Sequence, residues 1–181
     1  MMRRLVLAMW LAWPGVLAAQ TVAEPDGYRG APYRGAVPAT LAGATVIDVA
    51  QAYSLWETQA ARFVDVLPRP PKPENLPADT VWREETRLSI PGAIWLPNVG
   101  YQELAPETLR YFEVGLAAAG AEEKDTPLVF FCLNNCWMSW NAAKRAVHEL
   151  GYVQVYWFPE GTDGWTAAGF PTIALDPFAL N

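Results

Sequence analysis

The stretch PLVFFCLNNCWMSWNAAKRAVHELGY, residues 127–152, decides the architecture. It opens on a continuously apolar run, PLVFFC, as expected of a parallel strand buried on both faces. The run stops at Cys132. SWNAAKRAVHEL then shows helical periodicity, with Ala143, Val147 and Leu150 on its buried stripe and Gly151 as a natural stop. Both cysteines of the chain, Cys132 and Cys136, lie here, and so does its only histidine, His148. A strand, a short loop bearing the thiols, and a helix follow one another.

Outward from this unit, strands and helices alternate. Upstream, TVIDVAQAYSLWE spaces Val46, Val49, Ala50, Tyr53 and Trp56 as one helix, with Asp48 as its N-cap. RFVDV (62–66) reads as a short strand ending near Asp65, and SIPGAIWLP (89–97) as strand-like with a turn at Pro91-Gly92. Between them LPRPPKPENLP predicts a stiff, extended surface loop, because neither helix nor central strand tolerates so many prolines. Pro106 and Glu107 open a helix over about 106–119, stopped near Gly120. Downstream, VQVYWF (153–158) predicts a strand and DGWTAAGFP (163–171) a short helix. The alternation implies an α/β fold with a mostly parallel sheet. In such sheets sites form where strands end and helices begin, which is where Cys132 falls.

The chain has 181 residues, 52% of them hydrophobic and 18% charged, which suits one globular domain. A net charge of −6 gives no basic face for nucleic acid. Two cysteines are too few for a disulfide framework or a structural zinc site, and no haem-attachment motif is present. Copper(I) from Cys132, Cys136 and Met138 satisfies ligand softness, but the reading adopted is no metal and no cofactor. Nine tryptophans are many for this length; packing explains them more simply than a stacking surface.

Residues 1–18 read as a signal peptide: a basic MMRR, an apolar LVLAMWLAWPGVL, and cleavage after Ala18 with Val16 at the −3 position. Pro14 and Gly15 interrupt the run, so it spans a bilayer poorly and the cleaved chain is not embedded in the membrane. Residues 19–40, rich in Gly, Pro and Ala, form an extended lead-in that either hugs the domain or stays mobile. The domain proper occupies 41–181. Export places the protein in the periplasm or medium, where thiols oxidise unless protected.

The loop chemistry follows from position. Amides at a helix N-terminus point inward, and the dipole favours negative charge, so a cysteine there is thiolate-like. Register favours Cys132 as primary nucleophile, because it ends the strand, and Cys136 as a resolving thiol or a small buried hydrophobe. The i, i+4 spacing brings the Cα atoms within disulfide reach, roughly 4.4–6.8 Å. His148 sits near the far end of the helix and is a poor base for either. Asn134 and Asn135 suit a turn. Trp137 is a lid over the site, a knob for a partner, or packing over the helix start. Asp65 and Arg69, after the strand that should flank the loop, either orient it or shape a turn.

FVDV, SIPGAIWLP, PLVFFC and GYVQVYWFPEGTDGWTAAGFP resemble, in order, segments of rhodanese domains over roughly residues 41–173. The narrower resemblance, on CLNNCWMSWNAAKRA and YWFPEGTDGW, is to exported proteins with a Cys-x-x-Cys-Trp motif associated with quinoprotein (pyrroloquinoline quinone) alcohol catabolism. Here the spacing is C-x-x-x-C-W, one residue wider. The resemblance implies a single rhodanese-like domain with Cys132 as the sulfur-accepting nucleophile. It also implies Leu133, Asn134, Asn135, Trp137, Met138 and Ser139 as the substrate loop, and a sulfur donor and acceptor, or a periplasmic thiol protein, as partners. Rhodanese loops usually carry an Arg or Lys for an anionic donor; this loop supplies neither. Two readings follow. One is sulfur transfer or thiol–disulfide chemistry at Cys132, accessory to quinoprotein-dependent alcohol oxidation. The other is a non-catalytic binding module whose acidic, Trp-rich surface and proline-rich loop dock a periplasmic partner in quinoprotein-dependent alcohol oxidation.

Overall fold

A computed structural model describes residues 22–70, 72–73, 75–77, 80 and 85–180. The expected signal peptide lies outside the described residues, as does part of the proline-rich loop. Strand β1 (Thr45–Val46) leads into α1 (Val49–Glu57), followed by β2 (Arg62–Asp65), β3 (Arg87–Ser89) and β4 (Ile94–Trp95). Then come α2 (Pro106–Ala118), β5 (Leu128–Phe131), α3 (Trp137–His148), β6 (Val155–Phe158), α4 (Gly161–Ala167) and β7 (Ile173–Leu175). Five strands form one parallel sheet in the order β1-β6-β5-β2-β4, and β3 pairs antiparallel with β7 apart from it. The fold is a single α/β domain with a parallel central sheet flanked by four helices.

Local chemistry accounts for the elements. Asp48 caps α1 by accepting from the Gln51 amide, and the Gln51 side chain accepts in return from the Asp48 amide. Pro106 starts α2. All four residues of β5 are buried, and they pair with β2 and β6 on either side. One apolar layer, with Phe112, Phe130 and Trp140, lies on one face of the sheet. The other holds Phe63, Phe131 and Trp165. Among the described residues no helix is long and apolar enough to cross a membrane.

Three sequence expectations change. Thr45–Val46 is not helical; it forms an edge strand on β6, in register with Tyr156 and Trp157. The 89–97 segment divides at Pro91-Gly92 between two sheets: Ser89 ends β3, while Ile94 and Trp95 join β2. Helix α3 begins at Trp137, two residues before Ser139, so the loop closes at Cys136.

The lead-in hugs the domain. Lys144 Nζ donates to the carbonyls of Pro25, Asp26 and Gly27. The buried Asn141 side chain accepts from the Arg29 amide at 2.9 Å and donates to the Arg29 carbonyl at 2.8 Å. Arg145 stacks on the Tyr28 ring, whose hydroxyl donates to Glu149. This strap crosses α3 and meets the thiol loop.

Candidate functional site

Register places the site. Asp65, Phe131 and Phe158 are aligned across β2, β5 and β6, so the residues after them rise together from the C-terminal edge of the sheet. Cys132 is the first residue beyond β5. Its carbonyl accepts from the Thr162 amide at 3.0 Å, from Thr162 Oγ1 at 3.3 Å and from Arg87 Nη2 at 3.5 Å. Gly161, at φ +54°, lets the start of α4 approach this closely; a Cβ there would collide with the Cys132 carbonyl.

Beyond Cys132 the loop turns at Asn134 and Asn135, with Asn135 in the left-handed region at φ 54°. Asp163 accepts from the Asn134 amide at 3.0 Å. The strap closes the far side: Gly35 N donates to Asn135 O at 3.0 Å, and Trp137 N to Tyr33 O at 2.9 Å. Arg34 and Cys136 are thereby paired as an antiparallel bridge.

The two thiols meet inside this enclosure. Both are free and buried, at 0% exposure for Cys132 and 3% for Cys136. The Cys132 thiol donates to Cys136, and the amides of Met138, Leu133 and Ser139 turn toward the same sulfur. Cys136 is the N-cap residue of α3, which has no conventional side-chain cap, so these contacts are to a large, soft acceptor rather than a tight cap oxygen. The Cys132 thiol and those amides outweigh burial, and the Cys136 thiol is lowered to about 7. Cys132 moves the other way. Burial first, then its role as donor to Cys136 and the nearby charges of Cys136 and Asp65, hold its thiol well above the usual range. Register pointed to Cys132 as the thiolate, whereas the contacts that lower a thiol gather at Cys136 and burial dominates at Cys132.

Below the loop lies a polar network that sequence reasoning only half found. Asp65, fully buried, accepts from Arg87 Nε at 2.6 Å, Ser89 Oγ at 2.5 Å and the Leu67 amide at 2.9 Å. Burial raises its carboxyl, while Arg87, Ser89 and Leu67 oppose that shift. Arg87 also donates to Thr162 Oγ1 at 3.3 Å. Asp65 thus acts on the loop through Arg87, which the sequence analysis missed. The sequence carried no signal for it, since polar-apolar-polar alternation predicts Leu88 inward, whereas Arg87 and Ser89 are buried and Leu88 is exposed. Arg69 is exposed, and its amide donates to Asn98. It lines a cavity of about 370 Å³ with Leu67, Arg87, Trp95, Leu133 and Asp163 beside the loop.

The remaining candidates are placed as follows. Trp137 is no lid: it is 4% exposed, packs edge-on against Trp140 and carries Arg29 over its ring. Met138 meets Cys136 through its amide. Ser139 is buried, donating to the Cys136 carbonyl and accepting from Trp157 Nε1. His148 is exposed at the far end of α3, 3.2 Å from the Ala42 carbonyl. Among the described residues no group of three His, Cys, Asp or Glu side chains could hold a metal. The tryptophans at 56, 95, 137, 140, 157 and 165 are buried or half-buried, so no Trp-rich surface exists among the described residues.

Residues 48–168 match the rhodanese-like domain family, and the chain belongs to that family. Among solved structures it is similar to the polysulfide-sulfur transferase homodimer from Wolinella succinogenes, at 20% identity over 73% of this chain and 80% of that one, with a TM-score of 0.45. It is also similar to thiosulfate sulfurtransferase from Pseudomonas aeruginosa (17% identity, 76% of this chain, 22% of that one, TM-score 0.48). A third likeness is to a human single-domain sulfurtransferase (23% identity, 68% and 96%, TM-score 0.41). A search of curated protein sequences finds no match. The strap, residues 22–40, falls outside the family match.

Proposed function

We propose that this is an exported rhodanese-like protein that transfers sulfur, or exchanges thiol for disulfide, through Cys136 and Cys132 acting as a pair. One observation carries the reading: two free, buried thiols share the short loop between the end of β5 and the N-terminus of α3, with Cys136 as the N-cap. The Cys136 thiolate attacks the sulfane sulfur of a donor. A new S–S bond forms, and the donor's remaining group leaves with the electron pair of the broken bond. Cys136 then holds a persulfide. Its outer sulfur passes to an acceptor thiolate, restoring Cys136. Alternatively Cys132, losing its proton, attacks the Cys136 sulfur, giving a Cys132–Cys136 disulfide and releasing hydrosulfide. An external dithiol reductant reopens that disulfide.

The test is to incubate reduced protein separately with thiosulfate, polysulfide and a thiosulfonate, then weigh it. Gain of one sulfur, removed by cyanide or thiol and lost in Cys136→Ser, is the expected result. Cys132→Ser should keep the persulfide and lose the disulfide. If no donor loads sulfur and mild oxidant leaves the thiol count unchanged, the enzyme reading fails.

Burial of both sulfurs favours a second reading, a non-catalytic module that captures a periplasmic partner. It requires the Cys132→Ser, Cys136→Ser double variant to retain cellular function.

Export is supported by the basic and apolar leader, and a place beside quinoprotein-dependent alcohol oxidation by the motif resemblance alone. Secreted protein should lack the leader; mature protein still carrying Arg3 would count against export. A deletion strain growing normally on alcohol as sole carbon source would remove the pathway assignment.

A further inference from the structure

We infer that Arg34, carried in by the N-terminal strap, is the cationic residue that recruits anionic sulfur compounds, such as thiosulfate or polysulfide, to the thiol pair. The inference rests on the paired-thiol reading for its reacting sulfur.

The loop from Cys132 to Cys136 contains no Arg or Lys. The cation comes from outside it. Gly35 N donates to Asn135 O and Trp137 N to Tyr33 O, so the hydrogen bonds flank the Arg34–Cys136 pair rather than joining it. This is the non-hydrogen-bonded type of antiparallel pairing, with the Cα atoms about 4.5 Å apart and the side chains close. Side chains of directly opposed residues leave the same face. Arg34 therefore projects from the face on which Cys136 sends its sulfur to Cys132. Tyr33 is on the other face, stacked edge-on against Tyr101.

Arg34 is exposed, and its guanidinium makes no hydrogen bond or ion pair with the described residues. The other strap and α3 cations are engaged. Arg29 covers Trp137, Lys144 holds three strap carbonyls, and Arg145 donates to the Val99, Tyr101 and Gln102 carbonyls. An acidic chain repels anions, and Asp163 adds a carboxylate at Asn134 on the opposite side of the loop. A free cation beside Cys136 reverses that field where the thiolate reacts. With thiosulfate the Cys136 thiolate bonds the outer sulfur, the S–S bond of thiosulfate breaks, and sulfite departs with its electron pair. Three negative charges enter the step and three leave it, held together at the site by Arg34.

The experiment compares two alkylating reagents that differ in charge, iodoacetate and iodoacetamide, reacting with Cys136 at one pH. Both see the same fraction of thiolate, so their rate ratio reports steering and not ionisation. Arg34→Gln should lower the iodoacetate-to-iodoacetamide ratio about three- to ten-fold, and Arg34→Glu further. Arg34→Lys should restore it, and added salt should erase the difference. The strap bonds beside Arg34 are backbone bonds, so these variants keep the strap in place. A ratio unchanged in Arg34→Gln and insensitive to salt overturns the inference. Sulfur loading from thiosulfate, measured in parallel, separates this from the paired-thiol reading. A steering effect without sulfur loading sinks sulfur transfer alone; loading with an unchanged ratio sinks Arg34 alone.

Discussion

The Cys132 thiol donates to the Cys136 sulfur, and that single contact is the largest influence on Cys136. Removing the donor should therefore make Cys136 less acidic. In wild-type protein, alkylation of Cys136 should rise with a midpoint near pH 7, with Cys132 lagging well behind. In Cys132→Ala the Cys136 midpoint should move upward. Peptide mass mapping after iodoacetamide at graded pH reads both. Cys132 reacting first at low pH would return the thiolate to the strand end.

The same ionisation gives stability a pH dependence. The folded Cys136 thiol is lowered to about 7, so the native state ionises before the unfolded chain does. That contribution is present above the unfolded value and is lost as pH falls through 7. Cys132, raised when folded, acts oppositely: its contribution is lost as pH rises beyond the unfolded value. Denaturant midpoints should thus climb from pH 7 to about 9 and then turn down, the climb corresponding to roughly 1–3 kcal/mol. Cys136→Ser should flatten the climb. An equal climb in that variant would show that other groups produce it.

Much of this was legible in the sequence, and the reasons are local. The apolar run that stops at Cys132 encodes a buried strand and its C-terminal end within six residues. Asp48 and Gln51 spell a cap that needs no tertiary information. By contrast Thr45–Val46 is too short to show a period of two, and Val46 happens to fall in phase with the helix after it. Arg87 could not be paired with Asp65 from sequence, since they are 22 residues apart and β3 is only three long. The strap's hold on Asn141 spans 112 positions. The polarity of the thiol pair depends on where amides point, and no residue pattern encodes that.

The strap's grip can be loosened at Asn141. Its side chain joins the Arg29 backbone to the Gly100 carbonyl at 2.9 Å, wholly buried. Asn141→Ala leaves those groups unpaired and should cost about 1–3 kcal/mol. Because the strap also covers the Cys136 side of the loop, Cys136 should alkylate faster at fixed pH. Hydrogen exchange should show early opening of residues 22–35. Loss of stability with unchanged Cys136 reactivity would separate the strap from access to the thiols.

Asp65 and Arg87 form the buried pair beneath the loop, at 2.6 Å and with 0% and 7% of their side chains exposed. Breaking one side strands a charge in the core. Arg87→Met leaves the Asp65 carboxylate without its guanidinium, and Asp65→Leu leaves Arg87 unpaired; each should cost about 3–5 kcal/mol. Removing both with apolar groups of similar volume should cost much less than the sum, because no charge is then left unpaired. Fold and site should respond differently, however. The double variant also loses the Arg87 contact to the Cys132 carbonyl, although Thr162 still holds that carbonyl through two donors. Stability should largely return in the double variant while the Cys132 alkylation midpoint falls from its wild-type value, since the nearby Asp65 charge that raises it is gone. Urea unfolding of the four proteins, paired with alkylation at graded pH, tests this. Additive stability losses would show that the pair does not act as a unit, and an unmoved midpoint would confine it to the fold.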